Sequence, residues 1–489
     1  MIDSSVAPVL DDSGGAALPS TARDRIDMLC DPRSFMSIRS SVLPRRATSS
    51  AQAGDGIIAG IGRVDGRSVA CYAQDSGHLA GALGEAHAET IHRIMDIALE
   101  ARIPIVSFIA SGGARIQEGT AALAGYGQIF RSNVALSRVV PQISVITGLS
   151  AGGSCYSPAL TDFVVMTRES AMFLTGPRIV YLATGEQVTV AELGGHRTHE
   201  RNGVADFVSE DGAEAALLVR QLLGYLPSHS GGLIPPVAAV PTDGSDPSAT
   251  VPRSHRMVYD MRQVARAIVD QASLFEVRAG WARNVVTAFA RIEGRTVGIV
   301  ANQPSHIGGV LDVDASQKAA LFVEQCDKFG LPLVVLVDTP GFMPGRRQES
   351  AGVIRFGATL VRAFSGATVP RFTVVVRKAF GGAYIAMNSK HLGATFAFAW
   401  PEAEIGIMSA HSAVEIVHRK NLESAPDRGG VHHELAEAYR EEHLKAGRAA
   451  AGGFVDEVIA PEETRQRLSW ALSAMSGEGR PAVEVDTGA

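Results

Sequence analysis

Cysteine is scarce in this sequence, and its pattern excludes two common kinds of site. The four cysteines, Cys30, Cys71, Cys155 and Cys326, are scattered and form no C-x-x-C pair. Such spacing supports neither a zinc ribbon nor a disulfide framework. We therefore expect four reduced cysteines and no metal site in this chain.

Long apolar runs and targeting segments are also missing. No run of apolar residues is long enough to cross a bilayer. The N-terminus, which reads Met1-Ile2-Asp3-Ser4-Ser5, lacks the basic and apolar regions of a secretory signal. We therefore expect no membrane partner and a location in the cytoplasm.

Basic character is low as well. The net charge is −6 and the pI is about 6.2, which argues against nonspecific binding of nucleic acid. Hydrophobic residues make up 46% of the chain and charged residues 20%, a balance typical of a soluble globular enzyme. A length of 489 residues exceeds one ordinary core and favours two domains.

Composition along the chain divides it into four segments. Residues 1–20 are rich in Ser, Ala, Gly and Asp and are predicted to be a disordered tail. A proline-rich stretch at 227–256 is predicted to be a linker. It would separate an N-terminal domain at 21–226 from a C-terminal domain at 257–480.

The two predicted domains repeat the same landmarks. A hairpin signal at Asp65-Gly66 recurs as Glu293-Gly294, which is 228 positions further on. Two strand-like runs, 103–109 and 331–337, follow a helical pattern in each half at the same separation. A nearly constant separation indicates the duplication of one α/β domain, in which crossover helices join parallel strands.

The most informative repeat is a pair of glycine turns. Gly152-Gly153 follows a strand-like run at 141–147, and Gly381-Gly382 follows a similar run at 370–376. A single Gly-Gly after a strand is usually only a turn. Here two such turns occupy equivalent places, so their backbone N–H groups could form two anion-binding sites for a reaction that creates two oxyanions.

The sequence around these turns resembles the carboxyltransferase (beta) subunit of biotin-dependent acyl-CoA carboxylases of the acetyl- and propionyl-CoA carboxylase type. The resemblance extends from about Arg23 to Leu472. It rests on long motifs in the same order: Ser111–Gly119, Ala151–Leu160, Glu192–His199, Tyr259–Arg262, Gly280–Thr287, Leu311–Ser316, Asp338–Gly345 and Arg377–Tyr384.

This resemblance implies a fold, an assembly and partners. The fold is α/β, with two tandem crotonase-like (ClpP/crotonase) β-β-α superhelix domains. The assembly is a homo-hexamer whose active site lies between the N-terminal half of one subunit and the C-terminal half of another. The chain has no Met-Lys-Met biotinylation segment and no ATP-grasp loop. Biotin would therefore arrive as carboxybiotin on a carrier protein, which a biotin carboxylase subunit loads.

The resemblance also assigns roles to residues. The N–H groups of Gly152 and Gly153 would hold the thioester oxygen of an acyl-CoA as its enolate forms. Those of Gly382 and Ala383 would hold the ureido oxygen of carboxybiotin. Both oxyanions need fixed dipoles, and the biotin anion can take the α-proton, so no side-chain base is required. The expected substrate-binding residues are Ser111, Gly112, Gly113, Ala114, Gly381, Tyr384 and Ile385.

The sequence departs from the family at several places. Ser76–Gly84 lacks the usual aromatic and Gly-Gly pattern, and Thr90 replaces an expected lysine. Ser409 and Ser412 replace two glycines, and Phe356 replaces a common histidine. These changes leave two alternatives open: a carrier-protein-bound or specialised acyl thioester as substrate, or an inactive scaffold subunit. A third alternative is the same fold acting in reverse in a biotin-dependent decarboxylase, which only the partner subunits would distinguish.

Other polar residues near the turns have two interpretations each. Arg115 and Lys378 could contact CoA phosphates or the biotin chain, or could belong to structural ion pairs. Cys155 lacks an identifiable partner base, which favours a small buried side chain over a nucleophile. The sequence alone leaves the acyl group and the direction of the reaction open.

Overall fold

A computed structural model describes residues 21–45, 51–235 and 237–475 of the protein. The predicted N-terminal tail and residues 476–480 of the predicted second domain lie outside the described residues. Within them, the chain forms two eight-stranded mixed sheets, one built by each half. None of the described helices combines the length and the apolar character that a bilayer crossing needs.

The first sheet has the strand order β1-β2-β3-β4-β5-β6-β8, and β7 pairs with the far end of β5. The pairs β1–β2 and β2–β3 are antiparallel, and all other pairs are parallel. Its strands are β1 (Met36–Ile38), β2 (Ile57–Val64), β3 (Arg67–Gln74), β4 (Ile105–Ser111), β5 (Gln142–Ala151), β6 (Phe163–Thr167), β7 (Ala171–Phe173) and β8 (Phe207–Ser209).

The second sheet repeats this order as β9-β10-β11-β12-β13-β14-β16, with β15 on the far end of β13. Again only the first two pairs, β9–β10 and β10–β11, are antiparallel. Its strands are β9 (Phe275–Val277), β10 (Val285–Ile292), β11 (Arg295–Asn302), β12 (Leu333–Thr339), β13 (Arg371–Phe380), β14 (Phe396–Ala399), β15 (Glu404–Gly406) and β16 (Glu457–Val458).

Helices connect the parallel strands and cover the sheets. In the first half they are α1 (Ala22–Leu29), α2 (Glu85–Ala101), α3 (Thr120–Leu136), α4 (Tyr156–Ala159), α5 (Pro177–Thr184), α6 (Val190–Gly194), α7 (His196–Asn202) and α8 (Gly212–Leu223). In the second half they are α9 (Met261–Ile268), α10 (Val313–Lys328), α11 (Arg346–Ala351), α12 (Val353–Gly366), α13 (Gly381–Ala386), α14 (Ala410–Val417), α15 (Arg419–Ser424), α16 (Arg428–Tyr439), α17 (Ala446–Ala451) and α18 (Thr464–Met475).

Shorter helical turns complete the connections. A π-helical turn spans Arg440–Leu444. The 3-10 turns are Leu79–Gly81, Ile116–Glu118, Gly152–Cys155, Ile307–Gly309, Lys390–Leu392 and Pro461–Glu463.

The duplication extends to unusual backbone conformations. The two hairpin turns have left-handed residues at matching places: φ is +50° at Asp65 and +51° at Glu293, and each is followed by a left-handed glycine. Two residues with positive φ are what a tight type I′ hairpin turn requires. The register of β4 on β5 shifts between Ile109 and Ser111, and that of β12 on β13 shifts between Val337 and Thr339. Such matched irregularities confirm that one domain pattern occurs twice.

The two halves share one apolar core. Aromatic rings from both sides meet there: Phe163 contacts Phe289 at 6.0 Å between ring centroids, and Phe207 stacks on Phe275 at 4.8 Å. A buried ion pair of 2.8 Å joins Asp206 of the first half to Arg278 of the second. This shared core holds the halves as one packed unit, although each has its own sheet.

The predicted linker contains no helix or strand among its described residues. Its start contacts the first half, where Ser228 accepts from Arg67 and the N–H of Ser230 donates to the carbonyl of Val139, and its end contacts the second half. Its carbonyl groups at Pro252 and Ser254 accept hydrogen bonds from the buried guanidinium of Arg377. The precise domain boundaries stay predictions.

Candidate active site

The first glycine turn begins where β5 ends. Gly152 has a φ of +64°, which favours glycine, and Gly153 follows it in the 3-10 turn Gly152–Cys155. As the first residues of a helical turn, their N–H groups have no partner within that turn. Gly153 lies against the ring of Tyr126, because a Cβ there would be 2.9 Å from a ring carbon. Only glycine therefore fits at 153 without displacing its neighbours.

A second loop, Ser111–Ala114, lies directly beside this turn. Ser111 pairs with Ser150 in the parallel ladder of β4 and β5. The N–H of Gly112 donates to the carbonyl of Ala80, at 2.9 Å. A Cβ on Gly113 would be 3.2 Å from the carbonyl oxygen of Ala151. The structure therefore brings the predicted substrate loop and the first glycine turn into contact.

The second glycine turn has the same backbone form. Gly381 follows β13 and has a φ of +60°, close to the +64° of Gly152. The N–H groups of Gly381, Gly382 and Ala383 open α13 and have no partner within the helix. A Cβ on Gly382 would meet only the ring of Phe342, at an ordinary 3.7 Å.

Two further predicted residues flank this second turn. Tyr384 donates a hydrogen bond from its hydroxyl to the carbonyl of Phe454, at 3.2 Å. Burial raises the pKa of this hydroxyl. Ile385 is 49% exposed, so it presents an apolar surface beside the turn. Tyr384 thus ties the turn to the loop after α17, and Ile385 is accessible to a ligand or a neighbouring subunit.

Within one chain the two glycine turns stay apart. The first is surrounded by α3, α4 and β7 of its own half, and the second by α12, β12 and β15 of its own half. The structure therefore joins the residues predicted for each turn, and it does not join the two sets.

Comparisons with known proteins identify the family. Residues 19–483 match the family model described as carboxyl transferase domain. The chain belongs to the carboxyl transferase domain family.

Relatives in this family are similar over nearly their whole length. The chain is 45% identical over 465 residues to the propionyl-CoA carboxylase beta chain of Roseobacter denitrificans, covering 93% of this chain and 90% of that protein. It is 44% identical over 473 residues to the methylmalonyl-CoA carboxyltransferase 12S subunit of Propionibacterium freudenreichii subsp. shermanii, covering 94% and 90%.

A solved structure shows the same fold. Transcarboxylase 12S, described as a hexamer and crystallised with methylmalonyl-coenzyme A and methylmalonic acid bound, has a TM-score of 0.91 and 44% identity. The match covers 95% of this chain and 91% of that chain. The predicted family and the predicted pair of crotonase-type α/β domains are confirmed.

In this carboxyl transferase, Arg115 belongs to a structural network. Its guanidinium donates to the Asp55 carboxylate at 2.7 Å, to Glu118 at 3.1 Å and to the carbonyl of Ala82 at 2.9 Å. The same Glu118 accepts from the N–H of Glu85 at 2.6 Å, at the start of α2. These contacts fix the loop that carries Gly112 and Gly113, and they favour the ion-pair interpretation of Arg115 over a phosphate contact.

Lys378 likewise faces a buried carboxylate. Asp338 is fully buried at the end of β12, 2.9 Å from the guanidinium of Arg377 and 3.8 Å from the ammonium of Lys378. Burial lowers the pKa of Lys378, and Asp338 partly opposes that effect. Sequence reasoning missed the roles of Asp55 and Asp338. Asp338 could have been recognised from the sequence, because it is a single aspartate near the end of the apolar strand β12. Asp55 lies in a loop, where no sequence pattern marks it.

Cys155 is a structural residue. Its thiol donates to the carbonyls of Ser150 and Phe173 at 3.0 and 2.9 Å, and burial raises its pKa to about 11. A thiol with a raised pKa is a poor nucleophile at neutral pH. In the described part of the chain, no group of three or more His, Cys, Asp or Glu side chains could hold a metal ion.

The departures from the family pattern have local explanations in the structure. Thr90 is buried and accepts a hydrogen bond from Arg39 at 3.1 Å. Ser409 caps α14 by accepting from the N–H of Ser412 at 3.3 Å. Both serines therefore stabilise the helix start beside the second turn, and Arg39 contributes a cation beside Thr90.

Proposed function

We propose that this chain is the carboxyltransferase subunit of a biotin-dependent acyl-CoA carboxylase. It would transfer CO₂ from carboxybiotin on a partner protein to the α-carbon of a short-chain acyl-CoA, giving products of the malonyl-CoA or methylmalonyl-CoA type. The observation that carries the proposal is the pair of strand-to-helix glycine turns, whose left-handed glycines have φ values of +64° and +60°.

Each turn has its own role in this proposal. The N–H groups of Gly152 and Gly153 stabilise the oxyanion of the acyl thioester, and loop 111–114 lines the same site. The N–H groups of Gly382 and Ala383 hold the ureido oxygen of biotin. Removing one donor from such a site typically costs a factor of about 10²–10³ in kcat. When bound, carboxybiotin supplies both the CO₂ and the base that takes the α-proton.

The second turn is proposed to take the biotin group. A Cβ on Gly382 would meet only the Phe342 ring, at an ordinary 3.7 Å, so this turn is less crowded than the first. Gly381 and Tyr384 shape this site, and Ile385 adds an apolar wall for the acyl chain. An apolar wall fits acetyl, propionyl or somewhat longer acyl groups.

The chain would work as a hexamer, with each active site between the first half of one subunit and the second half of another. The separation of the two turns within one chain supports this. So does α5: it has no buried residue, and Ile179 and Leu182 are both exposed. Its counterpart α14 is covered by α16, through Val414 and Ala436. The relative with a solved structure is described as a hexamer.

The partners in this proposal are a biotin carboxyl carrier protein and a biotin carboxylase, and the location is the cytoplasm. The residue ranges 21–226 and 257–480 remain the proposed domains, with 227–256 between them. The altered stretch at 76–84 keeps a carrier-protein thioester as a second candidate substrate.

The decisive experiment offers the purified assembly carboxylated carrier protein together with a panel of acyl-CoAs and acyl-carrier thioesters. Carboxylated product from at least one short acyl-CoA is the expected result. Product from none of them, with the hexamer intact, would refute the proposal. Product from acyl-carrier thioesters alone would show that the acyl group is presented on a carrier protein and not on CoA.

A further inference from the structure

The peptide bond between Ala151 and Gly152 is held by a buried side chain. The hydroxyl of Ser154, which is 3% exposed, donates to the carbonyl of Ala151 at 2.8 Å. The Ser150 hydroxyl lies 3.0 Å from that of Ser154 and can donate to it in turn. Glycine at 113 leaves room for this carbonyl, since a Cβ there would be 3.2 Å from its oxygen.

This contact determines where the N–H of Gly152 points. A peptide unit is planar and trans, so its C=O and N–H point in opposite directions. A carbonyl of Ala151 fixed toward the interior therefore directs the N–H of Gly152 outward. On the basis of the proposed function, we propose that Ser154 is a positioning residue that aligns the Gly152 donor with the developing oxyanion of the acyl thioester.

The second half has no hydroxyl at the position equivalent to Ser154. Ala383 occupies the place of Ser154 and Phe380 that of Ala151, so the residue equivalent to Ser154 has no hydroxyl to hold the carbonyl of Phe380. Gly341, the counterpart of Gly113, would have no described atom within 4 Å of its Cβ. The two turns therefore differ at this position, because the Ser154 hydroxyl that holds the carbonyl before the first glycine has no equivalent at Ala383.

A small cavity beneath the turn extends the network. It measures about 20 Å³, and its polar lining comes from Tyr72, Gln74, Tyr126, Ser154 and Ser157. One water needs roughly 10–15 Å³ and two to four polar partners. The hydroxyl of Tyr126 is buried near the side chains of Ser111 and Ser154, and burial raises its pKa to about 12, an effect that these two side chains partly oppose. An ordered water that accepts from Tyr126 and contacts Ser154 completes the support.

The test is Ser154→Ala in the purified full assembly. Carboxyl transfer to the acyl-CoA should lose about 10- to 100-fold in kcat, because one donor is misaligned but not removed. KM for the acyl-CoA should change little, since the ground-state carbonyl depends less on this donor. Release of CO₂ from the carboxylated carrier protein without acyl-CoA should keep the wild-type rate, because it depends on the second turn.

The matched control is Ser144→Ala, which removes a buried hydroxyl from β5, the strand that leads into the turn; this hydroxyl lies 3.0 Å from that of Ser107. A wild-type kcat in Ser154→Ala would overturn the positioning role. Equal losses in Ser154→Ala and Ser144→Ala, or an equal loss of CO₂ release, would also overturn it, because they indicate general damage.

Crystal structures of the wild type and of Ser154→Ala test the inference without activity. We expect one ordered water in the wild-type cavity and a rotated or disordered peptide 151–152 in the variant. An unchanged orientation of the 151–152 peptide in the variant would overturn the inference. A wild-type cavity without a water would show that no water takes part in this support. A wild type that carboxylates no thioester would refute the proposed function, while these structures would still decide the role of Ser154.

Discussion

Replacing Gly153 with alanine tests the first anion site with a minimal change. The added Cβ would lie 2.9 Å from one ring carbon of Tyr126 and 3.1 Å from two others. Ordinary carbon–carbon contacts are about 3.5–4.0 Å, so the turn or the ring must move by about half an ångström or more. The backbone itself tolerates alanine, because Gly153 is not among the residues with positive φ. Proline at 152 would be a less clean probe, since the φ of +64° there is closed to proline.

The expected loss follows from the geometry of the donors. An oxyanion donor must lie about 2.7–3.1 Å from the charged oxygen, so a shift of half an ångström removes most of its effect. We expect a loss of about a hundredfold in kcat, which equals about 2.7 kcal/mol of transition-state stabilisation. The free energy of unfolding should fall by only about 1–3 kcal/mol, typical of overpacking at a tight site.

The assay compares kcat and KM for carboxyl transfer in the wild type, in Gly153→Ala and in the control Gly127→Ala. Gly127 lies one position after Tyr126 on α3 and would have no described atom within 4 Å of its Cβ. A Gly153→Ala assembly that is folded, hexameric and fully active would refute the assignment of the Gly153 N–H. A loss shared by Gly127→Ala would trace the effect to α3 instead.

Three further predictions concern stability and are checked by urea unfolding. Asp338→Ala should lower the free energy of unfolding by about 3–5 kcal/mol, because it leaves the buried charge of Arg377 without its carboxylate. The control Arg419→Ala breaks an ion pair whose arginine is 77% exposed and should lower it by at most about 1 kcal/mol. Equal losses in the two variants would contradict the argument. Burial lowers the pKa of His87 from 6.5 to about 3. The folded protein therefore keeps this imidazole neutral, whereas the unfolded chain takes up a proton below pH 6.5. The free energy of unfolding should fall by up to about 5 kcal/mol as the pH drops from 6.5 toward 3. His87→Gln should lose less stability in acid, and an identical pH profile would refute this. Burial raises the pKa of Asp206 from 3.8 to about 6. The free energy of unfolding of the wild type should therefore fall by up to about 3 kcal/mol relative to that of Asp206→Asn as the pH rises from 4 to 6. A stability difference between the two proteins that does not change over that range would contradict the assignment.

Local patterns in the sequence predicted much of the fold. The Asp65-Gly66 turn predicted the hairpin of β2 and β3, which is confirmed as an antiparallel pair. The helical pattern predicted before the strand-like run 103–109 is confirmed by α2, Glu85–Ala101. These predictions succeed because turn chemistry and hydrophobic periodicity act over a few residues, and the second half repeats them independently.

The candidate site was predictable only in part. The glycine turns were visible because a Gly-Gly pair follows a strand in each half, and the structure gives their left-handed glycines matching φ values. The partners of Arg115 and Lys378 were not predictable. Asp55 precedes Arg115 by 60 positions, and Asp338 precedes Lys378 by 40, so only the packing of separate elements brings them together.

The sequence by itself determined the duplication, the two strand-to-helix glycine turns and the family, because these depend on short motifs in a fixed order. The tertiary structure alone decided which groups those turns contact. It paired Arg115 and Arg377 with buried carboxylates, placed the hydroxyl of Ser154 on the carbonyl of Ala151, and surrounded each glycine turn with elements of its own half. These outcomes depend on the register of parallel strands and on the burial of charge, which no local pattern encodes.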